Sequence, residues 1–125
     1  MNLSDMETFF NTFVSDFASF KGKVIASRYT SPYMSVSSDA EIKVLNDNLD
    51  TAAYFQEILD NYYQDGIRSF RYKNFKSLLI GNNYFLVTVT WEMLSTDDIV
   101  ISEWRESYNI IKTKAGFKIC TSMDH

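Results

Sequence analysis

Large apolar residues recur at three- and four-residue steps at the start of the chain: Met6, Phe9, Phe10, Phe13, Val14, Phe17 and Phe20. That spacing marks one face of an α-helix, so the pattern predicts an amphipathic helix whose phenylalanine ridge faces a core. Ser4 followed by Glu7 is a capping-box signature at its start, and Gly22 is expected to stop it. A short helix is expected over Val24 to Arg28, ending before Ser31-Pro32, because proline disfavours helical geometry in the residue before it. Met34 and Val36 then alternate with serines, Ser37 to Ala40 offers a turn, and Ile42 and Val44 alternate with Glu41 and Lys43. This predicts a short hairpin. A second long helix is expected from a cap at Asp50 to Gly66. Its apolar face is Ala53, Tyr54, Ile58, Leu59 and Tyr62, with Phe55 and Tyr63 at the margin.

From Ile67 onward the period changes to two. Arg68 to Ile80, Tyr84 to Leu94, Ile99 to Ile111 and Phe117 to Met123 are rich in β-branched and aromatic residues and are separated by polar turns. Four antiparallel strands in a meander are predicted. The middle ones are longer than the usual five or six residues, which implies a bent sheet wrapped around something. The imperfect alternation at Lys73-Asn74-Phe75 predicts a bulge. Along Tyr84 to Leu94, Phe85, Val87, Val89, Trp91 and Met93 share one face, and Thr88, Thr90 and Glu92 the other. Along the next strand Trp104, Glu106, Tyr108 and Ile110 share a face.

Composition narrows the classes. The chain has 125 residues, with Phe 10, Tyr 8 and Trp 2 to fill an interior and only Gly 4, Pro 1 and Cys 1, which excludes disordered, collagenous and disulfide-scaffold proteins. One domain over residues 1–125 is expected. No apolar run approaches the roughly 20 residues of a membrane helix. Asp5, Glu7 and Asp16 stand where a signal peptide would be basic and then apolar, so a cytoplasmic protein without a membrane partner is expected.

The net charge of −4 argues against a polyanion binder. Arg68, Arg71, Lys73 and Lys76, interleaved with Phe70, Tyr72 and Phe75, read as a charge-guarded edge strand, and no nucleic-acid partner is expected. Lone Cys120 and terminal His125 supply neither a zinc site nor a thiol–imidazole pair. Asn46, Asn48, Asp50 and Glu57 have the spacing of a calcium loop, but Thr51 occupies the place of its glycine. With no glycine-rich phosphate loop or serine elbow either, neither metal nor cofactor is expected.

Several local features are similar to one superfamily. Tyr33 to Val36 and Glu41 to Val44 sit where its first hairpin lies. Tyr54-Phe55 resembles its paired aromatics before the long strands, and Val87 to Trp91 its "VTVxW" strand. Trp104 to Ile111 followed by Gly116-Phe117-Lys118-Ile119 resembles its closing hairpin, with Phe117 in place of tryptophan. The chain thus resembles the nuclear transport factor 2-like superfamily, in its polyketide-cyclase-like and ketosteroid-isomerase-like branch. The resemblance implies an α+β fold: a cone-shaped, curved antiparallel sheet with N-terminal helices on its concave face, the cystatin-like architecture, holding a pocket.

Under that resemblance the indole-bearing faces point inward, and Trp91, Trp104, Tyr108, Tyr54, Phe13 and Phe17 are expected to line the pocket. They would favour a small apolar or planar ligand. Glu106 is the carboxylate among those aromatics. Buried, it must find a partner or shift its pKa upward, which makes it the candidate catalytic acid or base; as a structural residue it would pair with Arg105, Arg28 or Lys118. Isomerase-like members add a base carboxylate near the first hairpin, matched only loosely by Asp39, and a tyrosine on the first helix, for which this chain has no counterpart. The dehydratase-like branch uses pocket histidines, and the sole histidine, His125, is terminal. The readings carried forward are a ligand-binding protein, an isomerase- or cyclase-type enzyme and a protein-interaction module. A homodimer through the outer face of the sheet is expected, where Thr88, Thr90, Ile99, Ile101 and Ile111 mix polar and apolar groups.

Overall fold

The computed structural model describes residues 3–125, with the side chains described from residue 5 onward. The Ser4 side chain on which the predicted capping box depends lies outside the described side chains. Helix α1 spans Leu3–Phe17, and its phenylalanine ridge is the buried face. It ends three residues before the ridge does. The chain leaves through tight turns at 18–20, with Phe20 in the left-handed region at φ 52°. Gly22 does not stop α1 but opens α2, Gly22–Ala26. A Cβ at Gly22 would stand 2.2 Å from the Ala52 carbonyl oxygen and 2.6 Å from the Gln56 amide nitrogen, so only glycine admits this approach of α2 to α3. The Gln56 side chain fastens the crossing, accepting from the Gly22 amide at 2.7 Å and donating to the Phe20 carbonyl at 3.1 Å.

Helix α3, Asn48–Gln64, is capped by Asp47 rather than Asp50; the Asp47 carboxylate accepts from the Asp50 amide at 2.8 Å. Phe55, expected at the margin, is instead in the centre of its buried face with Thr51 and Leu59, while Tyr54, Ile58 and Tyr62 are half-buried beside it. The i, i+4 spacing of 51, 55 and 59 beats the placement inferred from larger neighbours.

The strands are β1 (Tyr29–Val36), β2 (Ile42–Leu45), β3 (Ser69–Ile80), β4 (Tyr84–Leu94), β5 (Val100–Thr113) and β6 (Gly116–Asp124). They form one curved sheet in the order β2-β1-β6-β5-β4-β3. The N-terminal hairpin joins the meander through β1 and β6, which run parallel; the other described pairings are antiparallel. Between Lys73 and Lys76 the register of β3 slips at Asn74, whose φ of 57° marks the predicted bulge. A second bulge was not predicted. Asn109 pairs with Thr121 but Ile110 with Ile119, which leaves Cys120 as an extra residue in β6.

Phe85, Val87, Val89, Trp91 and Met93 are buried along the inner face of β4, under α1. Phe10 meets Trp91 and Tyr108 at ring-centroid distances of 5.7 and 5.5 Å, and Phe13 meets Tyr108 at 5.9 Å. Each such side chain contributes roughly 1.5–3 kcal/mol by burial, so this ridge-on-sheet layer dominates the stability of the fold. The outer face is mixed. Thr90, expected to be exposed there, is buried and accepts from the Asn74 amide at 3.4 Å across the bulge, whereas Leu78, Ile80, Tyr84 and Leu86 are exposed. Among the described residues no helix is long and apolar enough to cross a membrane.

Candidate functional site

Between the inner face of the sheet and α3 lies a small cleft of about 70 Å³, partly open to solvent. β4 contributes Trp91 and Met93, β5 contributes Trp104, Glu106 and Tyr108, and β6 contributes Ser122 and Asp124. Tyr29, Tyr33 and Ser35 of β1 form the opposite wall, α3 supplies Tyr54, Phe55, Ile58 and Tyr62, and Phe17 closes the α1 end. Phe13 does not reach the cleft. It is fully buried behind it, against Phe17, Tyr29 and Trp91.

Glu106 and Asp124 face each other across the β5–β6 ladder, and their carboxyl groups are hydrogen-bonded. The Trp104 indole N–H donates to Glu106 Oε1 at 3.0 Å. The Tyr108 hydroxyl accepts from the Trp91 indole at 2.8 Å and stands near Glu106, where it favours the ionised carboxyl. Burial raises the Glu106 pKa first, and the adjacent Asp124 charge raises it further; the Trp104 and Tyr108 donors oppose them, and the outcome is about 8. Asp124, at the exposed end of β6, is also raised by desolvation, against the hydrogen bond from Glu106 and the charge of His125. Because that hydrogen bond raises Glu106 and lowers Asp124, Glu106 holds the proton and donates it to the Asp124 carboxylate. The pair shares a proton because two like charges in contact, one of them desolvated in the cleft, cannot both ionise cheaply.

None of the three cations proposed as structural partners serves Glu106. Arg28 donates to Asp16 at 2.6 Å, Lys118 to the Ser27 carbonyl at 2.5 Å, and Arg105 stands opposite Thr90 on the outer side of β5. Asp39 is exposed in the β1–β2 turn and is not part of the cleft.

The hydroxyl that the first helix does not offer is supplied elsewhere. Tyr33 hydrogen-bonds to Ser122 and Tyr54 to Ser35. Burial, together with the Glu106 charge, pushes the Tyr29, Tyr33 and Tyr62 hydroxyls above their ordinary pKa, as burial does for Tyr54, so the cleft presents neutral O–H donors. Among the described residues no group of three or more His, Cys, Asp or Glu could hold a metal ion.

A family model described as "NTF2-like protein (DUF6841)" matches residues 4–125. The chain belongs to that NTF2-like family. No curated protein matches the sequence. Solved structures share the fold at low identity. An NTF-2 like protein of unknown function from Shewanella oneidensis MR-1 is 12% identical, with TM-score 0.77 over 99% of this chain and 98% of that one. The yeast UBP3-associated protein BRE5 is 12% identical, with TM-score 0.77 over 100% and 96%. A ketosteroid isomerase-like protein from Erwinia carotovora atroseptica is 11% identical, with TM-score 0.69 over 98% and 93%. At these identities the likeness is one of fold.

In this NTF2-like chain, sequence reading missed Asp124, Tyr29, Tyr33, Tyr62, Ser35 and Ser122 as wall residues. A signal was available for the β1 group: Tyr29, Tyr33 and Ser35 have the same parity on one strand. For Asp124 the parity is misleading, because the Cys120 bulge reverses it.

Proposed function

We propose that this NTF2-like protein binds a small molecule with an apolar or planar body in the cleft, oriented by the Glu106–Asp124 pair. The observation that carries the reading is a carboxyl pair sharing a proton beside aromatic walls and neutral tyrosyl hydroxyls, with no side-chain cation among the described residues engaging Glu106. Such a surface has apolar area for affinity and a few converging polar groups for orientation. Trp91, Trp104, Tyr108, Tyr54 and Phe17 are the proposed contacts. We also propose a homodimer through the outer face, supported by the exposed Leu78, Ile80, Tyr84 and Leu86 on adjoining strands.

Native mass spectrometry of protein taken directly from cells, at tens of micromolar, tests both. The expected spectrum is a dimer carrying a small-molecule adduct that is lost when Ile58→Trp fills the cleft. A monomer contradicts the dimer, and an unliganded wild type contradicts the pocket.

A second reading, an isomerase- or cyclase-type enzyme with Glu106 as general acid or base, is favoured by one observation. A carboxyl group with pKa about 8 is poised to give or take a proton near neutral pH, with Asp124 hydrogen-bonded to it. On that reading Glu106→Gln protein accumulates a bound molecule different from that in the wild type, whereas a binding protein carries the same one.

A further inference from the structure

We propose that the cleft is selective for a small organic cation: an amine or quaternary ammonium group whose charge is wrapped in methyl or methylene carbon. This deepens the pocket reading above and rests on it. Nine of the fifteen lining residues are aromatic, and seven of those are Tyr or Trp, whose ring faces carry the negative end of a quadrupole. Among the described wall residues the only charged side chains are Glu106 and Asp124, and none is Lys, Arg or His. The pair, holding one proton, keeps one negative charge at the mouth of a largely apolar space. A half-desolvated charge without a counter-ion is costly, and a single positive ligand charge removes that cost while its carbon shell fills the aromatic wall.

An anion would meet the same carboxylate with no cation in the described lining to compensate it. A neutral ligand would leave the carboxylate charge as it is. Outside the lining, Lys43 Nζ stands 5.1 Å from the Tyr54 ring centroid.

The inference carries a pH dependence. Facing Glu106 are Asp124 and, beyond it, His125 from the β6 end, Tyr108 from its own strand, Tyr29 and Tyr33 from β1, and Tyr54 and Tyr62 from α3. The tyrosines remain neutral throughout the working range, so the carboxyl pair is what titrates. A bound cation and the shared proton compete for it, so affinity rises with pH as the proton leaves.

Choline and its uncharged carbon isostere 3,3-dimethylbutan-1-ol test this by titration calorimetry and ligand-observed NMR, at about pH 6.5 and about pH 8.5. Choline is expected to bind roughly tenfold or more tightly than the alcohol, with the ratio larger at the higher pH. Asp124→Asn, at an exposed strand end, is expected to weaken choline severalfold and the alcohol by less, so that the ratio between the two probes falls. Equal affinity for the two probes overturns the inference while leaving the pocket reading standing. Binding of neither at millimolar concentration overturns both.

Discussion

Two glutamates on neighbouring strands, Glu92 of β4 and Glu106 of β5, meet opposite fates because they lie on opposite faces of one sheet. Glu92 is on the outer face, where the register places Arg71 opposite it. The Arg71 guanidinium donates to it at 2.8 Å and Lys73 stands 3.5 Å away, and its pKa falls below the ordinary carboxylate range, the Arg71 hydrogen bond being the largest cause. Glu106 is on the inner face, where the register places a second acid, Asp124, opposite it and the neighbours are rings. Its pKa rises to about 8. The same side chain, a few residues apart in the sheet, is therefore an anion in a salt bridge on one side and a protonated donor on the other. The outer face uses charge to guard a surface. The inner face, among the described residues, sets no side-chain cation beside the acid pair.

The contrast should be visible first in stability. Phe13→Ala, which empties the ridge that encloses the inner face, is expected to cost about 3–5 kcal/mol in chemical denaturation, because Phe13 is fully buried among rings. Leu86→Ala on the outer face, where the side chain is 37% exposed, is expected to cost under about 1 kcal/mol. Similar costs for the two would mean that the faces are not differentiated as described.

A smaller effect separates the two acids by pH. A carboxyl group whose folded pKa is raised makes the folded state bind more protons than the unfolded chain, so its contribution is favourable at low pH and lost as pH rises toward about 8. Glu106→Gln is therefore expected to gain stability relative to the wild type between about pH 5 and pH 9, by at least about 1.4 kcal/mol, the equivalent of one pKa unit. Glu92→Gln runs the other way. Its lowered pKa stabilises the fold above the ordinary carboxylate range, so removing the charge is expected to lower stability at neutral pH and to matter less in acid. Parallel pH profiles for the two variants would break the comparison.

Much of this arrangement was legible in the residues. The helical spacing from Met6 to Phe17 and the alternation from Phe85 to Met93 each have a single satisfactory burial, so the ridge, the inner face and the isolation of Glu106 among aromatics follow from period alone. The partner of Glu106 does not. Read with one parity from Ile119, β6 would send Thr121 and Met123 inward and Asp124 outward; the extra residue at Cys120 inverts the strand beyond it and brings Ser122 and Asp124 to the cleft. Nothing local in Ile119-Cys120-Thr121 announces that slip, because the pairing that creates it is with a distant strand. Helix boundaries failed for a similar reason. Gly22 reads as a stop signal, but its role is set by the backbone of α3, more than twenty-five residues away in sequence.

The central claim is that the inner-face acid is neutral where the outer-face acid is charged, and carboxyl-carbon NMR titration of the glutamate side chains tests it most directly. Glu106 is expected to titrate near 8 and Glu92 below the ordinary range near 4.5. In Asp124→Asn protein the Glu106 value is expected to fall, since the neighbouring charge that helps hold it up is gone. A Glu106 that titrates with the exposed carboxylates, unmoved by Asp124→Asn, would contradict the account.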